Sequence, residues 1–191
     1  MSRLSKQPIM IMKNIVIDFT GGILSVKSSK GKLQQEIHKD INLEIRDNFI
    51  LLKVNKESRK INMLCGMLRG MILNMLEGVS RGFEKQLEVI GLGYKVNIDN
   101  PNRKIILFVG FSHSVSIDIP IDLNVNTAVT INKTILIKIN GISKCKVGTF
   151  AAKIRDIKPP EPYKGFGIRY LNEKVIRKSG KSTVSSSNKS K

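Results

Sequence analysis

One local pattern occurs twice in this chain, and it constrains the fold more than any other feature. Ile50-Leu-Leu-Lys-Val-Asn55 and Ile135-Leu-Ile-Lys-Ile-Asn140 stand 85 positions apart. After one inserted residue, Ile61, Leu64, Leu68 and Arg69 line up with Val147, Phe150, Ile154 and Arg155. Further upstream, Ile37-x-x-x-Ile41-x-Leu43-x-Ile45 parallels Ile117-x-x-x-Ile121-x-Leu123-x-Val125. In both copies an apolar strand-like run gives way to helical spacing. Chance similarity among Ile-rich strands is the competing explanation. If the repeat is real, the chain folds as two strand-then-helix units, each needing a sheet face for its helix to cover.

The rest of the pattern agrees. Ile15–Phe19, Ile23–Lys27, Lys32–Ile37, Ile41–Ile45 and Phe49–Val54 read as short strands, several separated by turn pairs such as Gly21-Gly22, Lys30-Gly31 and Asp47-Asn48. From Lys60 to Ser80 the apolar positions take i, i+3, i+4, i+7 spacing. This predicts a helix capped at Asn55 or Ser58 and ending near Gly78 or Gly82. Its methionines, Met63, Met67, Met71 and Met75, are expected as core fillers. The second half reads as strands over Leu87–Ile90, Tyr94–Ile98, Ile105–Val109, Val115–Ile119, Leu123–Val125 and Ile135–Ile139, then a helix from Lys144 to Ile157. The fold class is therefore α+β. We expect two tandem similar domains (1–82 and 83–157), each an antiparallel sheet packed with one main helix, followed by an extended basic arm and Ser-rich tail (158–191).

Charge narrows the function. Lys and Arg total 33 against 15 Asp and Glu, a net charge of +18. Such an excess repels itself unless a polyanion neutralises it. Residues 151–191 alone carry 11 basic and 3 acidic side chains. No run is apolar and long enough to span a bilayer, so nucleic acid is the favoured partner over membrane. The N-terminus lacks the pattern of a cleavable targeting segment, and the protein is expected to stay where it is made. Lys outnumbers Arg 24 to 9 and there are 27 Ile, a bias that resembles translation of an AT-rich genome and slightly favours a mitochondrion or plastid over a bacterial cytoplasm. Cys65 and Cys145 form no CxxC pair and read as small apolar residues in a reducing compartment.

Catalytic chemistry finds little support. His38 and His113 are the only histidines. The Ser neighbours of His113 point away from it on an extended chain. Glu84, Glu88, Asp99, Asp118 and Asp122 are spread along strands without paired or metal-ligating spacing. No P-loop or dinucleotide fingerprint occurs. We expect no enzyme activity, no metal and no cofactor. Val89-Ile-Gly-Leu-Gly-Tyr-Lys95 places Gly91 and Gly93 between strand runs, ahead of Tyr94 and Lys95. A bulged hairpin and a backbone open to a partner's close approach are equally compatible with that spacing.

The stretch Lys158–Lys181 carries the sharpest functional signal. It holds Lys158, Lys164, Arg169, Lys174, Arg177, Lys178 and Lys181 against Glu161 and Glu173, with Tyr163, Phe166 and Tyr170 among three prolines and three glycines. Proline and glycine disfavour a helix or a central strand, and the cations resist burial. A segment of this kind suits a phosphate-rich partner. It lies beyond the second strand–helix unit, so neither core is expected to require it. Replacing Lys164 and Arg169 with Ala is accordingly expected to leave stability nearly unchanged.

Taken together, several blocks resemble the bacterial and organellar large-subunit ribosomal protein six family. They are Met1-Ser-Arg-Leu-Ser-Lys-Gln-Pro8, Val89–Lys95, Val109-Gly-Phe-Ser-His113, Val147-Gly-x-x-Ala-Ala152 with Ile154-Arg155, and Pro160-Glu-Pro-Tyr-Lys-Gly-Phe-Gly-Ile-Arg-Tyr170. The last is the most specific, and the likeness covers nearly the whole chain. It implies two α+β domains and a structural role in the large ribosomal subunit. It also implies binding to large-subunit rRNA, mainly through the C-terminal domain and arm, close to the sarcin–ricin loop and the docking region of translational GTPases. Neighbouring large-subunit proteins are further implied partners. Carried over by position, Tyr163, Lys164, Gly165, Gly167, Arg169 and Tyr170 fall in the RNA-facing block, and Gly91, Gly93, Tyr94 and His113 match family motifs. Lys95, Lys153, Arg155, Lys158, Phe166, Lys174, Arg177, Lys178 and Lys181 complete the expected rRNA-binding set. Phe166 stands where the family usually has Lys, which puts one phosphate contact in doubt and offers a ring that can stack on a base. Ser114 stands where Pro is usual, which loosens that turn.

Overall fold

The computed structural model describes residues 7–12, 14–46, 48–55, 58–129 and 134–179. Lys181, the Ser-rich tail and most of the N-terminal block lie outside the described residues. In chain order, β1 (Ile9–Met10), β2 (Val16–Thr20), β3 (Ile23–Ser28), β4 (Gly31–Glu36), β5 (Ile41–Arg46) and β6 (Phe49–Val54) precede α1 (Arg59–Ser80). There follow β7 (Phe83–Ile90), β8 (Lys95–Asp99), β9 (Lys104–Phe108), β10 (Val115–Asp118), β11 (Leu123–Val129), β12 (Ile135–Gly141), α2 (Lys144–Ile157) and β13 (Gly167–Tyr170). The class is α+β, and the strand-then-helix order occurs twice, as β6–α1 and β12–α2. By backbone contacts the chain divides into two compact units. The first comprises residues up to Lys85 with Pro120–Asn124 and Ile139–Phe150. The second comprises Gln86–Ile119, Val125–Lys138 and the residues from Ala151 on.

In the first unit, β1-β6-β5 and β2-β3-β4 form two antiparallel sheets. Strand alternation drives the inner faces together. Leu24 and Val26 of β3 and Ile50 and Leu52 of β6 are buried, and α1 adds Cys65, Leu68, Ile72, Met75, Leu76 and Val79 to the same core. Each fully buried aliphatic side chain here contributes about 1.5–3 kcal/mol. Ser58 occupies the helix N-cap without a side-chain bond to the backbone. At the other end, the Arg81 and Gly82 N–H groups both donate to the Glu77 carbonyl.

The methionines depart from expectation. Met75 is buried, but Met63, Met67 and Met71 are exposed. The four recur every four residues, a spacing that drifts around the helix, so the first three lie off the buried stripe and the last, Met75, enters it. Cys65 is buried, which pushes its thiol pKa up, whereas Cys145 is exposed rather than a packing residue.

The remaining sheets are β10-β9-β8 and β11-β12-β7-β13. β13 corrects the reading of the basic stretch. Gly167–Tyr170 pairs antiparallel with Leu87–Ile90, and Ile168 is fully buried. The segment past α2 is therefore not dispensable to the core. The preference against a central strand still holds, because β13 is an edge strand.

Candidate nucleic-acid interface

The second unit brings together three turns that carry the expected binding residues. The first holds Gly91, Gly93 and Tyr94. A side chain at Gly91 would meet the Tyr94 ring at 2.5 Å, so the glycine seats that ring. Tyr94 also lies under the second turn, because a side chain at Gly110 would approach its ring to 3.2 Å. The second turn, Gly110 to Ser114, presents Phe111 and His113, whose rings stack with centroids 6.0 Å apart. The Nζ of Lys158 sits 5.0 Å over the Phe111 ring and ties the third turn to the second.

That third turn begins with the prolines. The Ile168 N–H donates to the Lys158 carbonyl at 2.8 Å, and the Glu161 N–H to the Phe166 carbonyl at 2.9 Å. Gly167 is where the chain crosses itself: a side chain there would stand 2.6 Å from the Pro159 carbonyl oxygen. Downstream, the Lys178 N–H donates to the Pro162 carbonyl at 2.8 Å, folding the chain back over the turn. This lays the Arg177 guanidinium across Gly165, whose φ of +76° and missing side chain leave the room. Tyr163, Lys164, Arg177 and Lys178 are exposed around this fold-back, and Phe166 is half-buried.

Not every expected contact residue is free. The Nε and Nη2 of Arg169 donate to Glu88 at 3.1 and 2.9 Å, and the Thr134 hydroxyl donates to the same carboxylate. Arg155 makes a two-pronged pair with Glu173 at 3.1 and 2.5 Å, while its guanidinium lies 5.8 Å from the Tyr170 ring centre. Hydrogen bonding from Arg155 holds the Glu173 carboxyl below its usual range, against the opposing effect of its burial, and the Tyr170 N–H assists. Glu173 in turn pushes Arg155 up. These two arginines thus brace β13 and α2. Lys153, Lys164, Lys174, Arg177 and Lys178 form no ion pair among the described residues. Lys95, Lys153 and Lys174 are exposed, away from any core.

Glu88, Glu173 and Thr134 belong to the site although the sequence does not mark them, and Phe111 stands out in the sequence only as part of a motif. Glu88 and Arg169 occupy directly opposed positions in the β7–β13 ladder. Opposite charges at paired positions are the available signal, invisible until β13 is known to be a strand. Among the described residues, no group of three or more His, Cys, Asp or Glu side chains is placed to hold a metal ion, and no helix is long and apolar enough to cross a membrane.

Comparison with known proteins supplies the family. Residues 90–171 match the model of the Ribosomal protein L6 family. Over 182 residues the chain is 40% identical to the large ribosomal subunit protein uL6 of Maridesulfovibrio salexigens, covering 95% of this chain and 99% of that one. It is 43% identical to the large ribosomal subunit protein uL6c of Porphyra purpurea, covering 95% and 97% respectively. It is 38% identical to uL6 of Christiangramia forsetii, covering 95% and 99%. With identity of this order running the length of both partners, and the matched segment spanning all three converging turns, the chain belongs to the uL6 family of large-ribosomal-subunit proteins.

Proposed function

We propose that this protein is a structural, non-catalytic component of the large ribosomal subunit that binds large-subunit rRNA through the second unit. The observation that carries this reading is the fold-back at Pro162–Lys178. It holds Lys164, Arg177 and Lys178 beside exposed Tyr163 on a turn closed by backbone hydrogen bonds, with no acidic partner for these cations among the described residues. Cations held this way neutralise phosphates and release counterions. The half-buried Arg155 and Arg169 shape the surface, and the lysines supply most of the charge. Recognition is of RNA form rather than of base sequence. The resemblance further implies a position beside the sarcin–ricin loop, near where translational GTPases dock, with other large-subunit proteins as neighbours. Bacterial uL6 proteins and a uL6c protein are related to the chain at similar identity.

The direct test is binding of the full chain to deproteinised large-subunit rRNA across a salt series. Log affinity is expected to fall linearly with log salt, by about 0.7–0.9 per neutralised phosphate. Salt-independent binding, or equal affinity for small-subunit rRNA, would overturn the reading.

A further inference from the structure

Phe111 is 43% exposed on the turn between β9 and β10. Its neighbour His113 is exposed and stacks with it at an interplanar angle of 19°. Packing does not account for this pair. The turn is already supported from below by the Tyr94 ring against Gly110, so removing the Phe111 ring would leave that support in place. The surroundings are cationic. Lys158 lies over Phe111, and the three converging turns carry Lys95, Lys158 and Lys164 against Glu161 alone. Exposed stacked rings beside a threefold excess of cations over acids match a ligand with a flat π-face on an anionic backbone. A neutral protein surface would satisfy the rings but not the charge.

We infer that Phe111 and His113 form a stacking platform for an unpaired base of the large-subunit rRNA, with Lys158 next to it on the phosphate side. The inference rests on the rRNA-binding reading above and goes beyond it, because it assigns a base-stacking role to one pair of side chains. Every base has a π-face, so the platform accepts an unstacked nucleotide without reading its identity. The contact is not an ion pair, so its contribution is independent of salt, unlike that of the lysines.

The test uses the full chain and deproteinised large-subunit rRNA. A ring-depleted variant carries Phe111→Leu with His113→Ala. A ring-preserving variant carries Phe111→Tyr with His113→Phe. The ring-depleted protein is expected to bind about 5–100-fold more weakly, by the same factor at every salt concentration, with an unchanged salt slope. The ring-preserving protein is expected to keep wild-type affinity. His113→Ala alone, at an exposed position, is expected to lose part of the same factor and guards against misfolding of the double variant. Three results overturn the platform. One is equal affinity of the ring-depleted and wild-type proteins, which would assign the face to a protein neighbour. Another is a weakening accompanied by a shallower salt slope, which would make the contact electrostatic. The last is a wild-type protein that does not bind rRNA at all, which removes the rRNA reading and the platform together.

Discussion

Arg169 and Glu88 stand directly opposite each other on β13 and β7, and two guanidinium nitrogens of Arg169 bond one carboxylate oxygen of Glu88 at 3.1 and 2.9 Å. Both side chains are less than a quarter exposed. Arg169 is thus a clasp that fastens the basic segment to the sheet, whatever it contributes to the RNA binding proposed for that block. The pair changes one expectation from sequence, that Lys164→Ala with Arg169→Ala leaves stability nearly unchanged, because the Arg169 half of that change would leave Glu88 without its guanidinium partner. Glu88→Ala is expected to cost about 1–3 kcal/mol in denaturant unfolding, because it leaves a half-buried guanidinium without its partner. Replacing both residues with apolar side chains of similar size is expected to cost less than the single change. Equal stability of Glu88→Ala and wild type would show that the clasp carries no weight.

Ile168 fixes the same strand from the inside. Its complete burial predicts a loss of about 2–5 kcal/mol for Ile168→Ala, read as a lower midpoint in thermal or denaturant unfolding. Ending the chain at Lys158 removes the strand itself and is expected to unfold the second unit, visible as loss of dispersed NMR signals from Leu87 and Val89. A truncated protein with a native-like spectrum would restore the view of a dispensable arm.

The Arg155–Glu173 pair predicts an acid-sensitive step. Because the folded pKa of Glu173 is depressed, its contribution is complete above the unfolded value of 4.5 and is lost as pH falls through the lower folded value. Wild type is therefore expected to exceed Glu173→Gln in stability at neutral pH, with the gap closing below about pH 4. Denaturant midpoints across that range check it. A gap that stays constant with pH would mean the carboxylate charge is not what stabilises the fold.

The fold-back cations behave differently from the clasps. Lys164→Ala with Lys178→Ala is expected to change stability by no more than about 0.5 kcal/mol per site. The same variant should lower the salt slope of rRNA binding by about 0.7–0.9 for each phosphate that is no longer neutralised. Gly165→Ala tests the scaffold beneath them, since its side chain would strain a φ of +76° and press on Arg177 at 3.0 Å. It is expected to weaken rRNA binding although it removes no charge.

Most strand positions and both helices are legible in the sequence because apolar spacing reports directly on buried faces, whereas the sheet orders β1-β6-β5 and β11-β12-β7-β13 are not, since they depend on pairing between strands far apart in the chain. Phe49–Val54 and Lys144–Ile157 coincide with β6 and α2. β13 is hidden because Pro159, Pro160, Gly165 and Gly167 signal a loop, and only the pairing with β7 shows why four residues among them are extended. Met63, Met67 and Met71 satisfy a helical count yet fall outside the buried stripe, since a broad apolar face does not say which edge meets the sheet. At the site, residue types point correctly to a basic aromatic surface. They do not separate arginines paired with Glu88 and Glu173 from lysines left open, because that division depends on contacts between segments far apart in sequence.

Assembly into the large ribosomal subunit is the central claim, and sucrose-gradient sedimentation of ribosomes in low magnesium tests it most directly. The protein is expected in the large-subunit peak and absent from the small-subunit peak. Recovery at the top of the gradient, or with the small subunit, would contradict that assignment.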